Sequence, residues 1–448
     1  MASTYLTRTF DQVGNRQTWT LSVWIKRTGL GGTQTFFCSF PQSTDYERIM
    51  FNSDKIYICE VGGGATTWEC ETSARYRDTN AWYHLVLRHD TTQSSANDRI
   101  RLYMNGVQQT FATNTQPAQN RGTQINTADV HKIGMGNASE YTDCVMSHFH
   151  WCDGYSYGPD SFGSTDADTG EWIINTSPSV SYGTNGFFIL KDGNSVTDQS
   201  GGSHNWTVGG GTLTQTADCP SNVFCTLNSN IPQNGTLNGR DGATSTSLDN
   251  GNTTAGEGAA VFSNQVGSIF ASSGKYYAEC KFGGDQYCSF GVANPNFSDA
   301  SLGSYPGASI TGVNTAGIYG NGGIARVNGS TIFTDSNITT DTICLAMDLD
   351  NGALYIRRND GSWMNSGNPE SGATKTGAVT LPSDTYTWIV TSHNNSGSGR
   401  NYMKVNFGNG YFGSTQISSA GTNASGIGIF EYDVPTGYTA LSTKGLNL

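Results

Sequence analysis

The spacing of carboxylates is the first pattern in this sequence that could support catalysis. Retaining glycosidases need two carboxyl groups about 5 Å apart, one as nucleophile and one as acid. In β-sandwich glucanases the pair lies on one strand face within Glu-x-Asp-x-x-Glu. That string does not occur here, and EYDVPT (431–436) does not match it. Asp166 and Asp168 lie in a Gly-rich segment, where Asx residues usually make local turns. We therefore predict no catalytic residue.

Three possible metal donors alternate on one predicted strand: His148, His150 and Cys152. Three protein ligands are the number that a catalytic zinc site uses. Side chains two residues apart on a straight strand lie about 6.6 Å apart, however, which is too far for one ion without a bulge. Because Phe149 and Trp151 are predicted to face the core, we expect the three donors on an outward, solvated or interface face. We predict no metal site here.

A calcium site would need several oxygen ligands clustered in loops. The string DLDNG (348–352) resembles the start of an EF-hand loop, but Asn359 occupies the twelfth position, where that loop has Glu. We interpret this segment as a β-hairpin turn that needs no ion. Glu140, Asp143 and Asp153 flank the end of the first predicted sandwich and are the remaining calcium candidates. No cofactor is predicted.

Aromatic residues in predicted loops are the candidates for a binding site. Flat rings match the apolar faces of sugars, and neighbouring Asn side chains can bond to sugar hydroxyls. The candidates are Tyr155 and Tyr157 in one place, and Tyr305, Tyr319 and Trp363 in the other. The alternative, at least as well supported by the pattern, is that these rings fill loop bases or subunit contacts.

The charge balance limits the class of partner. The 448 residues include 24 Lys and Arg against 36 Asp and Glu, a net charge of −12. Since the cationic residues are few and dispersed, we expect neither nucleic acid nor anionic lipid as a partner. No run approaches the roughly 18 apolar residues of a membrane span, and the first residues lack the pattern of a signal peptide. We expect a soluble protein that is not exported by the general secretory route.

The ten cysteines show no regular spacing and no C-x-x-C motif, which argues against zinc-ribbon and thioredoxin-like classes. Several alternate with apolar residues, as Cys280 does in YAECKF (277–282). We predict buried free thiols. Cys219 and Cys225 are the pair expected to react if oxidation occurs.

Period-two alternation of apolar residues, bounded by Gly, Asn and Asp, indicates strands along most of the chain. We predict an all-β fold with two antiparallel β-sandwiches, over residues 1–164 and 256–448. A Gly/Ser/Thr-rich connecting region with a few docking strands is predicted over 165–255. The last segment of the chain is expected to pack back onto the second sandwich.

Each sandwich is predicted to fold separately, with the boundary inside the connecting region. A cut near residues 209–211 is expected to leave residues 265–448 folded. The first sandwich is expected to need the apolar run FFIL (187–190), because that run has no core of its own to join.

Two family resemblances are carried by particular strings. The first sandwich resembles the laminin-G or concanavalin-A-like jelly roll through WTLSVWIK (19–26), WYHLV (82–86), RLYMNG (101–106) and IG (133–134). Residues 274–412 are similar to SPRY domains through YYAE (276–279), GVA (291–293), DLDNG (348–352) and VNFG (405–408).

The strings outside the sandwiches are the most specific. Together with the order of the two folds, they resemble virion proteins of tailed phages, many of them marine, that join a laminin-G-like jelly roll to a SPRY-like module. The strings are DGY (153–155), SFGSTDADTGEW (161–172), YGTNGF (182–187) and VPTGYTAL (434–441).

The resemblance implies a structural, non-enzymatic protein of the particle surface, made in the host cytoplasm, that acts in host attachment or capsid decoration. It implies other virion proteins, copies of itself and a host-surface glycan or protein as partners, and we favour a trimer. Because no anchoring region or heptad stalk precedes the first predicted sandwich, we expect a decoration subunit or a fibre tip carried by another protein. The alternatives are a carbohydrate-binding or carbohydrate-active protein of the concanavalin-like class, and an intracellular SPRY-type adaptor that captures peptides.

Overall fold

The chain divides into two compact units, Met1–Gln215 and Thr216–Leu448. The computed structural model describes residues 4–137, 140–191, 195–228, 247–258, 262–296, 305–395 and 400–447. Each unit is a β-sandwich whose two main sheets are antiparallel, apart from one short parallel pairing in the second unit. The prediction of an all-β fold with two antiparallel sandwiches is confirmed.

The described part of the first unit contains strands β1 to β16 and two short 3-10 turns, Ala96–Asp98 and Pro159–Ser161. The strands are β1 (Tyr5–Thr9), β2 (Thr18–Arg27), β3 (Thr33–Gln42), β4 (Asp45–Asn52), β5 (Lys55–Gly62), β6 (Ala65–Thr72), β7 (Trp82–Asp90), β8 (Ile100–Met104), β9 (Val107–Gln108), β10 (Phe111–Thr115), β11 (Val130–Ile133), β12 (Cys144–Asp153), β13 (Gly163–Thr165), β14 (Trp172–Ile174), β15 (Phe187–Ile189) and β16 (Thr207–Gly210). One sheet has the order β10-β6-β5-β4-β3-β11-β1-β16, and the facing sheet has the order β15-β12-β2-β7-β8-β9.

Strand β2 shows how the alternating sequence builds the first core. Trp19, Leu21, Val23 and Ile25 are buried between the two sheets. Leu21 lies opposite Leu87 of β7 in the strand register. Since burial of one such side chain contributes roughly 1.5–3 kcal/mol, the alternation fixes which face of β2 points inward.

The outer face of the six-stranded sheet is covered by residues that follow β12. Phe162 packs there in a small apolar cluster with Cys152, and β13 and β14 form a hairpin. Trp172 of β14 lies against the turn at Asn105 and Gly106, where φ is 48° and 79°. A Cβ at Gly106 would stand 2.5 Å from the Trp172 indole. Only glycine therefore fits this turn.

The described part of the second unit contains strands β17 to β32 and 3-10 turns at Asn321–Gly323, Met364–Ser366, Pro369–Thr374 and Gly445–Asn447. The strands are β17 (Ser247–Asp249), β18 (Thr254–Glu257), β19 (Ser263–Val266), β20 (Lys275–Lys281), β21 (Ser289–Ala293), β22 (Thr315–Tyr319), β23 (Ile324–Val327), β24 (Ser330–Phe333), β25 (Thr342–Asp348), β26 (Ala353–Arg358), β27 (Val379–Thr380), β28 (Thr387–Ser392), β29 (Asn401–Asn406), β30 (Tyr411–Phe412), β31 (Thr415–Gln416) and β32 (Thr439–Ala440). One sheet has the order β17-β18-β29-β20-β25-β26-β27, with β32 parallel to β20, and the facing sheet has the order β19-β28-β21-β22-β23-β24.

Strand β25 is buried on both faces. Leu345, with 0% of its surface exposed, lies in the core between the sheets. Cys344 points the other way, into a second cluster that contains Phe430 and Tyr438 of the C-terminal segment. That segment therefore packs on the outside of the sheet, as expected from its sequence.

A buried carboxylate attaches the C-terminal segment to β20. Glu279 accepts hydrogen bonds from the backbone N–H groups of Glu431 and Tyr432, both at 2.9 Å, and from Nδ2 of Asn406 at 3.1 Å. Burial raises the pKa of Glu279 to about 7 in spite of these donors. The contact therefore joins a sheet strand to a loop that has no strand periodicity of its own.

The stretch 165–255, predicted as a connecting region, divides between the two units. In the first unit, β15 pairs with β12, and Phe187 and Ile189 are buried in the core. Strand β16 pairs with β1, so a cut at residues 209–211 would pass through a strand of the first sandwich. Residues 229–246 of the predicted connecting region lie outside the described residues.

The second sandwich also uses residues that precede position 265. Phe224, Cys225 and Leu227 are buried in its clusters, and β18 pairs with β29. A fragment of residues 265–448 lacks these side chains and two strands. The fragment that corresponds to the compact unit begins at Thr216.

Candidate functional site

In the first unit, Tyr155 and Tyr157 form a stacked pair after β12. Their ring centroids are 5.7 Å apart and their planes differ by 14°. Tyr155 is 41% exposed, whereas Tyr157 is half-buried and packs edge-on against Phe162. The Tyr155 ring is therefore exposed to solvent and stacks on the half-buried Tyr157 ring.

The loop that carries this pair is held by the β2 strand. The Thr20 hydroxyl donates to the carbonyl oxygen of Tyr155 and accepts from the backbone N–H of Tyr157, both at 2.8 Å. The Tyr157 hydroxyl accepts from the backbone N–H of Ser181 at 2.9 Å. Because both tyrosines are fixed at the backbone, the exposed ring is a preorganised flat surface.

In the second unit, Tyr305 and Tyr319 lie together, with ring centroids 4.7 Å apart. Tyr319 also contacts Tyr287, and Tyr287 packs against His393 at 4.8 Å. Burial, together with the neighbouring tyrosines, raises the pKa of Tyr319 above its ordinary value. These rings are half-buried and pack on one another, so the arrangement favours a support for the loops over an open platform.

Trp363, grouped with these tyrosines in the sequence prediction, belongs to a different cluster. Its ring lies perpendicular to that of Tyr355, with centroids 6.5 Å apart. The guanidinium carbon of Arg357 lies 5.0 Å from the centroid of the Trp363 ring. Trp363 is half-buried, so part of the indole remains accessible.

Trp363 and Arg357 line a cleft of about 280 Å³ in the second unit. The C-terminal segment forms the opposite wall. Polar groups and prolines share the lining with the indole: Asn368, Pro369, Glu370, Asp433, Pro435 and Thr436. The volume lies just below the range of about 300–1,000 Å³ that is usual for ligand pockets, which suits one ring of a larger ligand.

The charged groups of the cleft are fixed by hydrogen bonds. Nη2 of Arg357 donates to the Tyr277 hydroxyl at 2.9 Å and to the carbonyl oxygen of Asp433 at 2.8 Å. Hydrogen bonds from Thr436 hold the pKa of Glu370 below its ordinary value. Hydrogen bonds from Thr422 do the same for Asp433. Both carboxylates are therefore ionised acceptors at neutral pH.

Phe149 and Trp151 face the core as expected, but the expectation that His148, His150 and Cys152 lie on a solvated face was wrong. His150 is 2% exposed and Cys152 is 0% exposed, because the residues after β12 close over this face. The His150 ring stacks on Phe188 at 3.9 Å, and burial holds the pKa of His150 well below its ordinary value. Over the described ranges, no group of three or more His, Cys, Asp or Glu is arranged to hold a metal ion.

The calcium candidates of the first unit are engaged separately. Glu140 accepts from Nη1 of Arg48 at 2.7 Å. Asp153 is buried and accepts from Nδ2 of Asn126 at 2.6 Å. Asp143 packs against the backbone at Gly29. Since protein donors occupy the oxygens of Glu140 and Asp153, the three side chains do not form a shared cation site.

The remaining carboxylates noted in the sequence make local turns. Asp166 accepts from the backbone N–H groups of Asp168 and Thr169, at 3.0 and 2.8 Å. Asp348 accepts from the backbone N–H of Asn351 at 3.0 Å, within the hairpin that joins β25 to β26. Both segments have the local structure that the sequence predicts.

All ten cysteines are free thiols, and eight of them are buried. Cys225 lies in the second core with its sulfur 4.0 Å from the Thr387 hydroxyl. Cys219 contacts the Ser221 hydroxyl at 3.3 Å. The two cysteines named as the pair expected to react thus have different neighbours.

Three functional candidates were missed by the sequence patterns. Arg357 was not singled out because its place in the cleft depends on Trp363 and the distant C-terminal segment. Glu47 and Glu60 are buried opposite each other in the first core. The sequence does contain a pattern that identifies these two glutamates: each occupies an inward position in a strand whose other inward residues are apolar.

A comparison with protein families agrees with the fold of the first sandwich. Residues 2–153 match the model of the concanavalin A-like lectin/glucanases superfamily, of the laminin-G type. This match concerns the first sandwich. No curated protein matches the chain.

Solved structures that match part of the chain include SPRY domains and a pentraxin. The match to the SPRY domain of human HERC1 has 14% sequence identity and a TM-score of 0.27, and it covers 36% of this chain and 91% of that domain's chain. The match to the native heptameric SAP-like pentraxin of Limulus polyphemus has 16% identity and a TM-score of 0.27, and it covers 35% of this chain and 72% of the pentraxin chain. The match to a second human SPRY domain has 13% identity and a TM-score of 0.25, and it covers 36% of this chain and 93% of that domain's chain.

Among the described helices, none is long and apolar enough to cross a membrane.

Proposed function

We propose that this protein is a non-enzymatic component of a phage particle surface, a tail appendage or capsid decoration, that binds host-surface glycans. The observation that carries the proposal is the cleft at Trp363. It combines an aromatic face, a fixed guanidinium and two ionised carboxylates in one concavity. The order of the two sandwiches and the strings between and after them support the placement on a phage particle.

A sugar ring matches the lining of this cleft. The accessible face of Trp363 suits the apolar face of the ring. Glu370 and Asp433 can accept hydrogen bonds from sugar hydroxyls, and Asn368 can both donate and accept. A few placed polar groups beside an aromatic wall are the usual composition of a small-ligand site.

The exposed Tyr155 ring offers a second, weaker contact in the first unit. Single shallow contacts of this kind bind weakly, and linked copies raise the overall affinity by increasing the effective concentration. Several copies of the protein in one oligomer would therefore bind more strongly through such small sites than a single copy would.

The ionised state of the two carboxyl groups in the cleft supports sugar binding without hydrolysis. A glycosidase needs one carboxylic acid that is still protonated near neutral pH, which requires a raised pKa. The pKa values of Glu370 and Asp433 are both lowered by hydrogen bonds. Neither side chain is therefore suited to act as the general acid.

Antibody labelling of intact particles tests the placement on the virion. Particles from a phage that encodes this chain would be incubated with antibody to it and viewed by negative-stain electron microscopy. We expect label at regular positions on the tail or capsid. Label confined to the lysate, with clean particles, would contradict the proposal. The glycan half of the proposal is tested separately by the Trp363 variant described below.

A further inference from the structure

Two glutamates lie side by side at the inner face of the first sandwich. Glu47 on β4 and Glu60 on β5 are direct register partners, and they are 0% and 1% exposed. Directly opposed residues of an antiparallel pair have Cβ atoms about 4.5–5.5 Å apart. Their neighbours along the same row are Ser39 of β3 and Trp68 of β6. The two carboxyl groups therefore share one buried space.

Each carboxyl group has one oxygen that is satisfied and one that is not. Oε2 of Glu47 accepts from the backbone N–H of Ile125 at 2.8 Å. Oε1 of Glu60 accepts from Nε of Arg121 at 3.1 Å and from the Thr67 hydroxyl at 2.9 Å. Oε1 of Glu47 and Oε2 of Glu60 are buried without a hydrogen-bond partner in the structure. Buried polar atoms normally have partners, so these two oxygens need an explanation.

Of the two carboxyl groups, Glu60 has a direct ion pair with a cation, whereas Glu47 has a cation only at longer range. Arg121 pairs with Glu60. Arg16 acts on Glu47 electrostatically, while its Nε donates to the carbonyl oxygen of Thr123. The two histidines of the neighbouring elements, His131 of β11 and His89 of β7, are neutral, because burial lowers the pKa of each to about 3.

A proton would resolve both problems at once. Two like charges in one buried site cannot both ionise at ordinary cost, so one of the carboxyl groups retains its proton. A protonated carboxyl also gains an O–H donor, which supplies a partner for the opposite oxygen.

We propose that Glu47 and Glu60 share one proton, carried by Oε1 of Glu47 and donated to Oε2 of Glu60, and that this proton latches residues 121–125 onto the sheet. The latch follows from the other contacts of the pair. Glu60 holds the side chain of Arg121, and Glu47 holds the backbone of Ile125. Separation of the two carboxylates after loss of the proton would disturb both anchors.

The direction of the pH effect follows from linkage. Burial, with the charge of Glu60 next, raises the pKa of Glu47 to about 8 from an ordinary value of 4.5. Between these two values the folded state binds more protons than the unfolded state, so stability falls as pH rises through this window. The latch is therefore closed in mildly acidic and neutral solution and opens in alkaline solution.

Hydrogen exchange on the full chain tests the latch, after correction for the intrinsic pH dependence of exchange. We expect protection of residues 121–125 to fall at least tenfold between pH 6 and pH 9 in the parent protein. Glu47→Gln keeps the shape and the donor of the protonated side chain, so its protection in this segment should not change over the same range. Glu171→Gln, which alters an exposed carboxylate, should behave like the parent protein.

Infrared difference spectra give a second readout that does not depend on segment mobility. Between pH 6 and pH 9 the parent protein should lose more protonated-carboxyl absorbance than Glu47→Gln, since buried Glu279 contributes equally to both proteins. The proposal is overturned if the parent loses no more of this absorbance than Glu47→Gln and shows no change in protection, or if Glu47→Gln keeps the full pH dependence. Failure of Glu47→Gln to fold at pH 6 would also contradict it, because glutamine reproduces the protonated form.

Discussion

The indole N–H of Trp172 donates to Nδ1 of His84 across a distance of 2.8 Å. Nδ1 must then be an acceptor, so the imidazole is neutral and its proton lies on Nε2, which donates to the Ser22 hydroxyl at 2.9 Å. Trp24 stacks on the same ring at 4.6 Å. Trp172 belongs to the stretch predicted as a connecting region, and this bond fixes it to the outer face of the first sandwich.

Loss of this bond should weaken the first unit. Trp172→Phe keeps an aromatic ring against Gly106 but removes the donor, and we expect a loss of about 1 kcal/mol in unfolding free energy. A double-mutant cycle with His84→Phe would isolate the term, since the bond is absent in both backgrounds that lack His84. Chemical unfolding that shows the same cost for Trp172→Phe with and without His84 would show that the bond contributes nothing.

His84 also makes the stability of the first unit depend on pH in the acidic range. Burial lowers the pKa of His84 to about 3, whereas its ordinary value is 6.5. Between these values the unfolded state binds more protons than the folded state, so stability is present above pH 6.5 and is lost as pH falls. We expect the parent protein to lose more stability than a His84→Phe variant as pH falls from 7 to 4 in unfolding curves, because the opposing contribution of Glu47 is the same in both proteins. An equal pH dependence of stability in the parent and the His84→Phe variant would contradict this expectation.

A charge in the second core should be strongly destabilising. Leu345 is fully buried between Ile343 and Met347 on one face of β25. Leu345→Asp must bury an unpaired carboxylate or keep it protonated, and we expect a cost of several kcal/mol. Leu345→Met, which nearly conserves volume, should cost less than about 1.5 kcal/mol. Thermal melts of residues 216–448 would measure both, and a non-cooperative melt of the parent fragment would refute separate folding of this unit.

The strand pattern made the two sandwiches predictable, but not the surfaces that cover them. Leu21 and Leu345 occupy alternating positions, and alternation directly reflects a face that is buried. Phe162 and Phe188 close over His150 from segments without such periodicity, so their place depends on the folded sheet beneath them. For the same reason, the sequence grouped Trp363 with Tyr305 and Tyr319, although its partners are Tyr355 and Arg357.

The paired glutamates were missed for a different reason. Strand patterns are sought among apolar residues, and a charged residue at an inward position is usually taken as a break in the pattern. Glu47 follows the same inward alternation as Ile49 and Phe51. A polar residue in phase with a buried face is the signal that would have identified it.

The assembly is expected to be a trimer. Sheets with free edge strands, such as β10 and β16 at the two ends of one sheet of the first unit, need cover, and particle appendages are built by symmetry. Light scattering coupled to gel filtration should give three times the 47.9 kDa mass of one chain. A monomer at every accessible concentration, together with no assembly on the particle, would refute this prediction.

Binding of the purified full chain to an array of bacterial surface glycans is the most direct test of the proposed function. We expect the parent protein to bind at least one glycan, and Trp363→Ala to reduce that binding at least tenfold while it still melts cooperatively above the temperature of the binding assay. Tyr402→Ala removes another aromatic ring of the second unit, which is 37% exposed, and should leave binding unchanged. Equal binding by Trp363→Ala and the parent, or no binding by the parent to any glycan, would contradict glycan recognition by this cleft.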